Sequence, residues 1–183
     1  MLTVITGCMF SGKTSALIAR AEMNIIAGKN VILIKPSNDT RFGTENVIHT
    51  HSGQSFPCYI VDKDKPHKEI LDIVYNRLKT KVDVIIIDEA QFFSREIFNS
   101  IADYMTWAHV IVGGLKEDSN GKPFGMMPEL LCAADDIIHL KAVCIKCKTI
   151  NSATRTYRKA ENKDQVFVGG KDSYEPRCLE CWI

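Results

Sequence analysis

The most regular feature of the chain is an alternation between short apolar runs and longer segments in which apolar residues recur at helical spacing. The run Leu2–Thr6 comes first, and the segment Lys13–Ala27 follows with Leu17, Ile18 and Ala21 on one helical face. The first pattern predicts a β-strand and the second an α-helix. The same patterns predict strands at Val31–Ile34, Val82–Ile87, Val110–Val112 and Asp136–Leu140, and helices over 66–78 and from Ser94, a suitable N-cap, to about Trp107. Residues 44–60 fit neither pattern.

The predicted strands are apolar at successive positions, as in Val82–Ile87. Such a strand belongs to a sheet that is covered on both faces, and sheets of that kind are parallel. The alternation of strands and helices therefore predicts an α/β fold with crossover helices. The alternation stops at Ala142, so we expect an α/β domain over residues 1–141 and a small separate module over 142–183.

Composition narrows the class of protein. The 183 residues are 45% hydrophobic and 25% charged, which is typical of a globular protein. The formal net charge is +1, so no overall field attracts nucleic acid or an anionic membrane, and we expect neither as a partner. The longest apolar runs are far shorter than the roughly 20 residues that cross a bilayer, and the N-terminus lacks the pattern of a signal peptide. We therefore expect a cytoplasmic location.

A phosphate-binding motif stands between the first predicted strand and the first predicted helix. Gly7 to Thr14 fits G-x-x-x-x-G-K-[ST], with Gly12 and Lys13 in the diagnostic positions and Cys8, Met9, Phe10 and Ser11 between the glycines. In such a loop the backbone amides and the helix N-terminus cradle the phosphates, the lysine reaches the β- and γ-phosphates, and the hydroxyl of Thr14 binds Mg²⁺. The expected ligand is a nucleoside triphosphate, and the alternative is a glycine turn with a surface lysine.

Two acidic residues, Asp88 and Glu89, follow the buried run Val84–Ile87. Ligands of α/β sheets bind at the carboxyl ends of the strands, so both side chains are expected at the cleft. Asp88 would hold Mg²⁺, and Glu89 would be free to accept a proton. The alternative for Glu89 is a surface cap or ion pair.

The cysteines predict a metal site in the C-terminal module. Two C-x-x-C pairs, Cys144 with Cys147 and Cys178 with Cys181, can offer four thiolates to a structural Zn²⁺. Free thiols or redox pairs are the alternative. The segment between the pairs would be a loop or hairpin anchored at both ends and able to lie over the cleft as a lid. The remaining cysteines, Cys8, Cys58 and Cys132, are expected to be packing residues.

Taken together, the N-terminal phosphate loop, the segment Asp88–Phe92 and the cysteine pairs resemble the zinc-containing thymidine kinases of the small cytosolic type. The likeness covers nearly the whole chain and includes, in family order, Lys35–Arg41, Gly113–Leu115, Lys122–Gly125 and Val168–Gly170 followed by Tyr174. It implies a P-loop NTPase-like (RecA-like) parallel sheet with helices on both faces and a small zinc-binding domain with a lasso loop. It also implies transfer of phosphate from ATP with Mg²⁺ to thymidine, a homotetramer, and inhibition by dTTP.

The resemblance further implies roles for individual residues. Glu89 is the base that accepts the proton of the nucleoside 5′-hydroxyl. Asp39, Arg41 and Gln91 join Asp88 and the phosphate loop in binding ATP and Mg²⁺. The nucleoside pocket comprises Met9, Phe92, Leu115, Phe124, Thr154, Phe167, Val168, Gly169 and Tyr174. Without the resemblance, core packing would be the better interpretation of the two phenylalanines.

One position departs from the family pattern. The family usually has an aromatic residue four positions after the equivalent of Leu115, where this chain has Ser119. A stacking contact with the base, worth about 0.5–1.5 kcal/mol, would then be absent.

Two other classes of protein fit parts of the pattern. In a P-loop ATPase of the helicase or motor type, Glu89 would activate water, but 183 residues are too few for two motor domains. A zinc-ribbon module that binds nucleic acid would use the basic residues of the C-terminal module, which are better interpreted as a solvated face. Those basic residues are Lys146, Lys148, Arg155, Arg158 and Lys159.

Overall fold

The computed structural model describes residues 1–39, 46–50, 52–77, 80–159, 165 and 169–183. Its strands are β1 (Leu2–Gly7), β2 (Val31–Pro36), β3 (Val47–His49), β4 (Ser55–Pro57), β5 (Tyr59–Val61), β6 (Val84–Ile87), β7 (His109–Gly114), β8 (Asp136–Leu140), β9 (Arg155–Arg158) and β10 (Tyr174–Arg177). Its helices are α1 (Lys13–Ile26), α2 (Pro66–Asp72), α3 (Glu96–Tyr104), α4 (Met127–Ala133) and α5 (Leu179–Trp182).

The centre of the fold is a six-stranded sheet in the order β5-β2-β6-β7-β1-β8. Every pair of neighbouring strands in it is parallel. The prediction of a parallel α/β sheet is therefore confirmed. The apolar side chains of β6 lie on both faces of the sheet. Val84 and Ile86 pack with α1 on one face, and Ile85 and Ile87 pack with α2, α3 and α4 on the other. Both faces are covered, which is why the strands are apolar at successive positions.

All the carboxyl ends of these strands lie at one edge of the sheet. The phosphate loop follows β1 there, the two acidic residues follow β6, and β7 lies between these strands. The end of β7 leaves no room for a side chain at Gly113, because a Cβ there would meet Leu17 at 2.6 Å and Asp88 at 3.3 Å. Glycine at this position lets α1 and the loop after β6 approach each other across the intervening strand.

Several elements differ from the sequence-based expectation. The predicted helix over 66–78 is a short α2 followed by a π-helical turn at Ile73–Arg77, and its last residue lies outside the described part of the chain. The helix expected to start after Ser94 begins at Glu96, because the hydroxyl of Ser94 is turned toward the carbonyl of Asp64 and caps nothing. The hairpin of β3 and β4, the edge strand β5 and the helix α4 were not predicted.

The C-terminal residues form a second, small assembly. β9 and β10 pair as an antiparallel hairpin, and a bridge joins Ala142 to Ala153. This hairpin fits the anchored segment expected between the cysteine pairs. The division into domains at residues 141 and 142 stays a prediction. Within the described residues, no helix is long and apolar enough to span a membrane.

Candidate active site

The phosphate loop has the backbone that its motif predicts. Gly12 has a φ of 87°, in the left-handed region that favours glycine, and α1 begins directly after it at Lys13. No side chain caps this helix and its first turn contains no acidic residue, so the partial positive charge of its N-terminus is retained. The ammonium group of Lys13 is buried and donates to the carbonyl oxygens of Gly7 and Cys8 at 3.2 and 2.9 Å. The loop thus presents the elements needed to bind phosphate.

Thr14 and Asp88 come together across the sheet. The hydroxyl of Thr14, in the first turn of α1, donates to Oδ2 of Asp88 at 2.9 Å. Oδ1 of the same carboxylate accepts the backbone amide of Glu89 at 2.9 Å. A hydroxyl and a carboxylate in contact beside a phosphate loop are hard oxygen ligands of the kind that Mg²⁺ prefers. The sequence-based prediction for this pair is compatible with the geometry.

Glu89 is held in an uncommon backbone conformation. Its φ is 51°, which is rare for a residue with a side chain and is found mainly at sites where the surroundings impose it. The residue is 6% exposed, and its Oε2 accepts a hydrogen bond from Nε2 of Gln91. The amide oxygen of Gln91 in turn accepts the backbone N–H of Leu115 at 3.0 Å. Gln91 therefore fixes Glu89 relative to the end of β7.

A cavity of about 330 Å³ opens above the phosphate loop. Lys13, Lys35 and Lys171 contribute positive charge to its wall, and three acidic residues contribute negative charge. The acidic residues are Asp39, Asp88 and Glu89. A triphosphate with a bound divalent cation needs both kinds of group, amines for the phosphate oxygens and carboxylates for the metal.

A second, smaller cavity of about 40 Å³ adjoins the first. Phe92 and Phe124 meet in its wall edge to face, with ring centroids 5.5 Å apart, and Tyr174 comes from the C-terminal hairpin. Its aromatic wall is suited to a flat, mostly apolar ring. Four residues line both cavities and so mark where they join: Met9, Asp39, Glu89 and Leu115.

The structure brings most of the predicted site residues to these two cavities. Met9, Phe10, Gly12, Lys13, Thr14, Asp39, Asp88 and Glu89 line the first, and Met9, Phe92, Leu115, Phe124, Gly169 and Tyr174 line the second. Gly7, Cys8 and Ser11 belong to the loop but do not line the cavity. Gln91 contacts Glu89 and Leu115 rather than the phosphate loop. Arg41, Phe167 and Val168 lie outside the described residues.

Thr156, and not the predicted Thr154, lines the aromatic cavity. Thr154 does not line either cavity, and its amide pairs with the carbonyl of Arg177. Thr156, two residues further along and within β9, lines the second cavity, and its hydroxyl accepts the amide of Met9 at 3.0 Å. The sequence Thr-Arg-Thr allows either register, so sequence reasoning had no means of choosing between them.

Sequence reasoning missed other lining residues as well. Lys35 is 3% exposed and donates to the carbonyl of Val47 at 2.9 Å. A charged residue near the carboxyl end of a buried strand could have indicated its place. His49, Thr50 and Ser52 come from the hairpin region that fitted no pattern.

Two of the basic residues of the C-terminal module are engaged within the chain. Arg155 pairs with Glu117, and its guanidinium lies 5.9 Å from the ring centroid of Trp182. The guanidinium of Arg158 lies 5.4 Å from the ring centroid of Tyr174. Both arginines therefore hold the hairpin in place instead of belonging to a solvated face.

The four cysteines of the two pairs form a single cluster. Their Sγ atoms all lie within 4.8 Å of one another, and the pair Cys147 and Cys178 is 3.9 Å apart. Four sulfurs around Zn²⁺ at about 2.3 Å would be separated by roughly 3.8 Å, so the cluster fits a closed tetrahedral site. Burial raises the pKa of the Cys144 thiol, but hydrogen bonds from the amides of Cys147 and Cys178 outweigh it and lower the pKa to about 6. A hydrogen bond with Thr149 also lowers the pKa of the Cys147 thiol, whereas a hydrogen bond with Cys178 raises the pKa of the Cys181 thiol. Thiolates bind zinc, so the cluster favours this form at two of its cysteines, and a bound cation would have to favour it at Cys181.

The cysteine cluster packs directly on the phosphate loop. Cys8, Ala142, Cys144 and Ala153 form one buried apolar group. The thiol of Cys8 donates to the carbonyl of Ala153 at 3.3 Å, and burial raises the pKa of this thiol. A structural metal in the cluster would therefore stabilise the wall of both cavities.

Comparison with known proteins identifies relatives over the full length. The family model for thymidine kinase matches residues 1–182. A thymidine kinase from Coprothermobacter proteolyticus is 41% identical, and the match covers 97% of this chain and 87% of the relative. The thymidine kinase from Mycoplasma mobile is 38% identical, and the match covers 100% of this chain and 87% of the relative. The thymidine kinase from Pyrobaculum aerophilum is 36% identical, and the match covers 100% of this chain and 98% of the relative. Domain III of the Thermotoga maritima replication initiation protein DnaA is 13% identical with a TM-score of 0.43, covering 77% of this chain and 55% of that one.

Proposed function

The chain belongs to the thymidine kinase family, and on this basis we propose that it transfers the γ-phosphate of ATP to the 5′-hydroxyl of thymidine where the two cavities join. The observation that carries the proposal is the position of Glu89. This residue lines both the phosphate cavity and the aromatic cavity. A group that reaches both ligands is placed to act on the bond that forms between them.

Each cavity supports one of the two ligands. The phosphate loop and Lys13 bind the phosphates of ATP, and Lys35 adds a second buried cation to the same wall. Thr14 and Asp88 would hold Mg²⁺, which neutralises phosphate charge when it is bound. Phe92, Phe124 and Tyr174 surround the pyrimidine. With the ligands bound in this way, the nucleoside 5′-oxygen lies near Glu89.

Glu89 then acts as the general base. The 5′-oxygen attacks the γ-phosphorus, the bond from that phosphorus to the β–γ bridging oxygen breaks, and ADP leaves. The proton of the 5′-hydroxyl passes to the carboxylate of Glu89. Gln91 keeps the carboxylate in position through its hydrogen bond to Oε2. Alignment and charge neutralisation account for most of the catalysis in such a transfer, and the base adds to them.

The test is the substitution Glu89→Gln, which keeps the shape of the side chain and removes its ability to accept the proton. We expect turnover of thymidine to fall by about 10²–10⁴-fold with ATP affinity nearly intact. Glu96→Gln is the matched control, because Glu96 is exposed on α3 and should retain the activity of the unaltered protein. Near-normal turnover by Glu89→Gln would exclude this carboxylate as the base.

The cysteine cluster supports a structural role for zinc. We expect Zn²⁺ on Cys144, Cys147, Cys178 and Cys181 to anchor the hairpin of β9 and β10, which supplies Thr156 and Tyr174 to the nucleoside cavity. The hairpin would then act as a lid that also contacts the phosphate loop through Met9. Loss of zinc with no change in thymidine affinity would contradict the lid role.

Four expectations remain. The family implies a homotetramer and inhibition by dTTP. The sequence pattern predicts a cytoplasmic location, and a boundary between the P-loop domain and the zinc-binding lasso domain at residues 141 and 142. The mass of the assembly in solution tests the first, and inhibition of thymidine turnover by added dTTP tests the second. Separate unfolding transitions for the two segments would support the boundary.

A further inference from the structure

Lys171 is a residue of the C-terminal module that lines the phosphate cavity. The other described residues of the module that line a cavity, such as Thr156 and Tyr174, belong to the aromatic cavity. Lys171 is exposed, and the described residues make one hydrogen bond with it, from the ammonium group of Lys159 to its carbonyl oxygen. Within the described part of the chain, the ammonium group of Lys171 therefore has no partner and is available to a ligand.

The chain on both sides of Lys171 determines where it enters the phosphate cavity. The carbonyl of Gly170 accepts the amides of Ser173 and Tyr174 at 3.1 and 3.0 Å, so the chain turns tightly here before β10 begins. Gly169 and Tyr174, on either side of this turn, line the aromatic cavity. Lys171 is two residues from the first and three from the second, so its backbone lies within about 7–10 Å of both. It therefore enters the phosphate cavity from the side at which the two cavities join.

The charged side chains around the phosphate cavity balance only when Lys171 is included. Besides Lys171, the described wall has two amines, those of Lys13 and Lys35, and three carboxylates. Without Lys171, negative charge would be in excess around a ligand that is itself anionic, since a triphosphate keeps negative charge after it has bound Mg²⁺. Lys171 removes that excess, and it does so from the C-terminal module and not from the phosphate loop.

We propose that Lys171 is a further substrate-binding residue, whose ammonium group contacts the γ-phosphate of ATP while the hairpin covers the thymidine site. The proposal rests on the proposed function, since it assumes ATP in one cavity and thymidine in the other. The γ-phosphate has to lie where the cavities join, beside the 5′-oxygen that attacks it, and Lys171 enters the phosphate cavity at that place. The α- and β-phosphates lie further from the junction, on the backbone amides of the phosphate loop.

The contact would couple the binding of the two substrates. Thymidine packs against Gly169 and Tyr174, and the γ-phosphate binds Lys171 on the same short segment. Whichever ligand binds first therefore holds the segment in place for the second, so each should bind more tightly when the other is present. Thermodynamic linkage requires the same factor for both ligands. ADP lacks the γ-phosphate and should not show this coupling.

The test uses an ATP analogue with an imido group between the β- and γ-phosphorus atoms, which binds without transferring phosphate. In the unaltered protein, thymidine should lower the dissociation constant of this analogue by about three- to tenfold, as expected for a charged hydrogen bond at a partly exposed site, and that of ADP by less than about twofold. Lys171→Met should abolish the effect on the analogue, and Lys171→Arg, which keeps the charge, should restore it. Lys68→Met is the matched control, because Lys68 is exposed on α2 and lines neither cavity.

Three results would overturn the role of Lys171: no effect of thymidine on the analogue in the unaltered protein, an equal effect on ADP, or an effect that persists in Lys171→Met. A purely structural role predicts that Lys171→Met weakens thymidine binding even without nucleotide, whereas we expect that dissociation constant to be unchanged. If the unaltered protein does not phosphorylate thymidine, the proposed function fails. If it does, but one of these three results is obtained, only the inference about Lys171 fails. Thermal unfolding of each variant shows that a lost coupling reflects the site and not a loss of fold.

Discussion

Substitution of Gln91 perturbs Glu89, the proposed catalytic base, without changing Glu89 itself. The amide nitrogen of Gln91 donates to Glu89 and its amide oxygen accepts the backbone N–H of Leu115 at 3.0 Å. The residue is 3% exposed. Two substitutions separate its functions. Gln91→Met keeps the approximate volume and removes both hydrogen bonds, whereas Gln91→Glu keeps the shape and the acceptor but replaces the donor.

The cost of Gln91→Met follows from the two lost hydrogen bonds. The amide of Leu115 is left without a partner, at about 1–3 kcal/mol, and the hydrogen bond to the Glu89 carboxylate is worth about 1.5–3 kcal/mol. Both terms involve one side chain and are not fully additive, so we expect the free energy of unfolding to fall by about 2–5 kcal/mol. Because Glu89 is then no longer held at the junction, we expect kcat to fall by about 10²-fold.

Gln91→Glu should have a different signature. Its remaining oxygen can still accept the amide of Leu115, so less stability is lost than in Gln91→Met. However, it places a second carboxyl group against Glu89, and two carboxyl groups so close compete for one proton. We therefore expect the acidic limb of the kcat/KM profile for thymidine to move upward by about 1–3 pH units.

The assays are urea unfolding and thymidine phosphorylation between about pH 5 and 9. Asn99→Asp is the control, because Asn99 is exposed on α3, whose residues line neither cavity, and the substitution adds the same charge away from the site. An acidic limb in Gln91→Glu that coincides with that of the control, in a protein of near-native stability, would refute the conclusion that Gln91 acts on Glu89.

Three further predictions address other parts of the molecule. Lys13→Ala should lower kcat/KM for ATP by about 10²–10³-fold, because it removes the cation of the phosphate loop; steady-state kinetics with varied ATP measures this, and a normal value would undermine the loop assignment. Cys144→Ser should lose bound zinc and raise the dissociation constant for thymidine at least about tenfold, as measured by metal analysis and ligand titration, with Cys132→Ser as the exposed-cysteine control. Burial raises the pKa of the Cys58 thiol from 9.0 to about 11, so the folded state favours the protonated thiol. The resulting contribution to the free energy of unfolding is present below pH 9 and is lost as the pH rises toward 11. Urea unfolding between these pH values should show a smaller loss of stability for Cys58→Ala than for the unaltered protein, and parallel losses would contradict the assignment.

The long strands of the sheet and the phosphate loop could be predicted because each has a strong local signal. β1 and β6 are short, nearly unbroken apolar runs, and the glycines and Lys13 of the loop have fixed spacing. The short strands lacked such a signal. β4 and β5 are three residues long, and β4 ends in Pro57, so tertiary pairing and not local preference defines them.

The candidate site was predictable in part for a related physical reason. Asp88 and Glu89 follow a recognisable strand, so the topology of a parallel sheet places them. The role of Gln91 depends on the turn Ala90–Phe92, which directs its side chain toward Glu89 and Leu115, and no sequence pattern predicts that direction. The place of Lys171 in the wall of the phosphate cavity depends on how the hairpin lies over the sheet, so only the folded structure shows it.

We propose above all that the two joined cavities allow phosphate transfer from ATP to thymidine. The most direct test measures ADP formation from ATP and Mg²⁺ in four reactions, with thymidine, deoxyuridine, deoxycytidine or no nucleoside. The nucleoside product is identified by its mass. We expect ADP formation that depends on thymidine and yields dTMP in equal amount. The same rate of ADP formation in all four reactions, without a phosphorylated nucleoside, would contradict the proposal and indicate an ATPase that activates water.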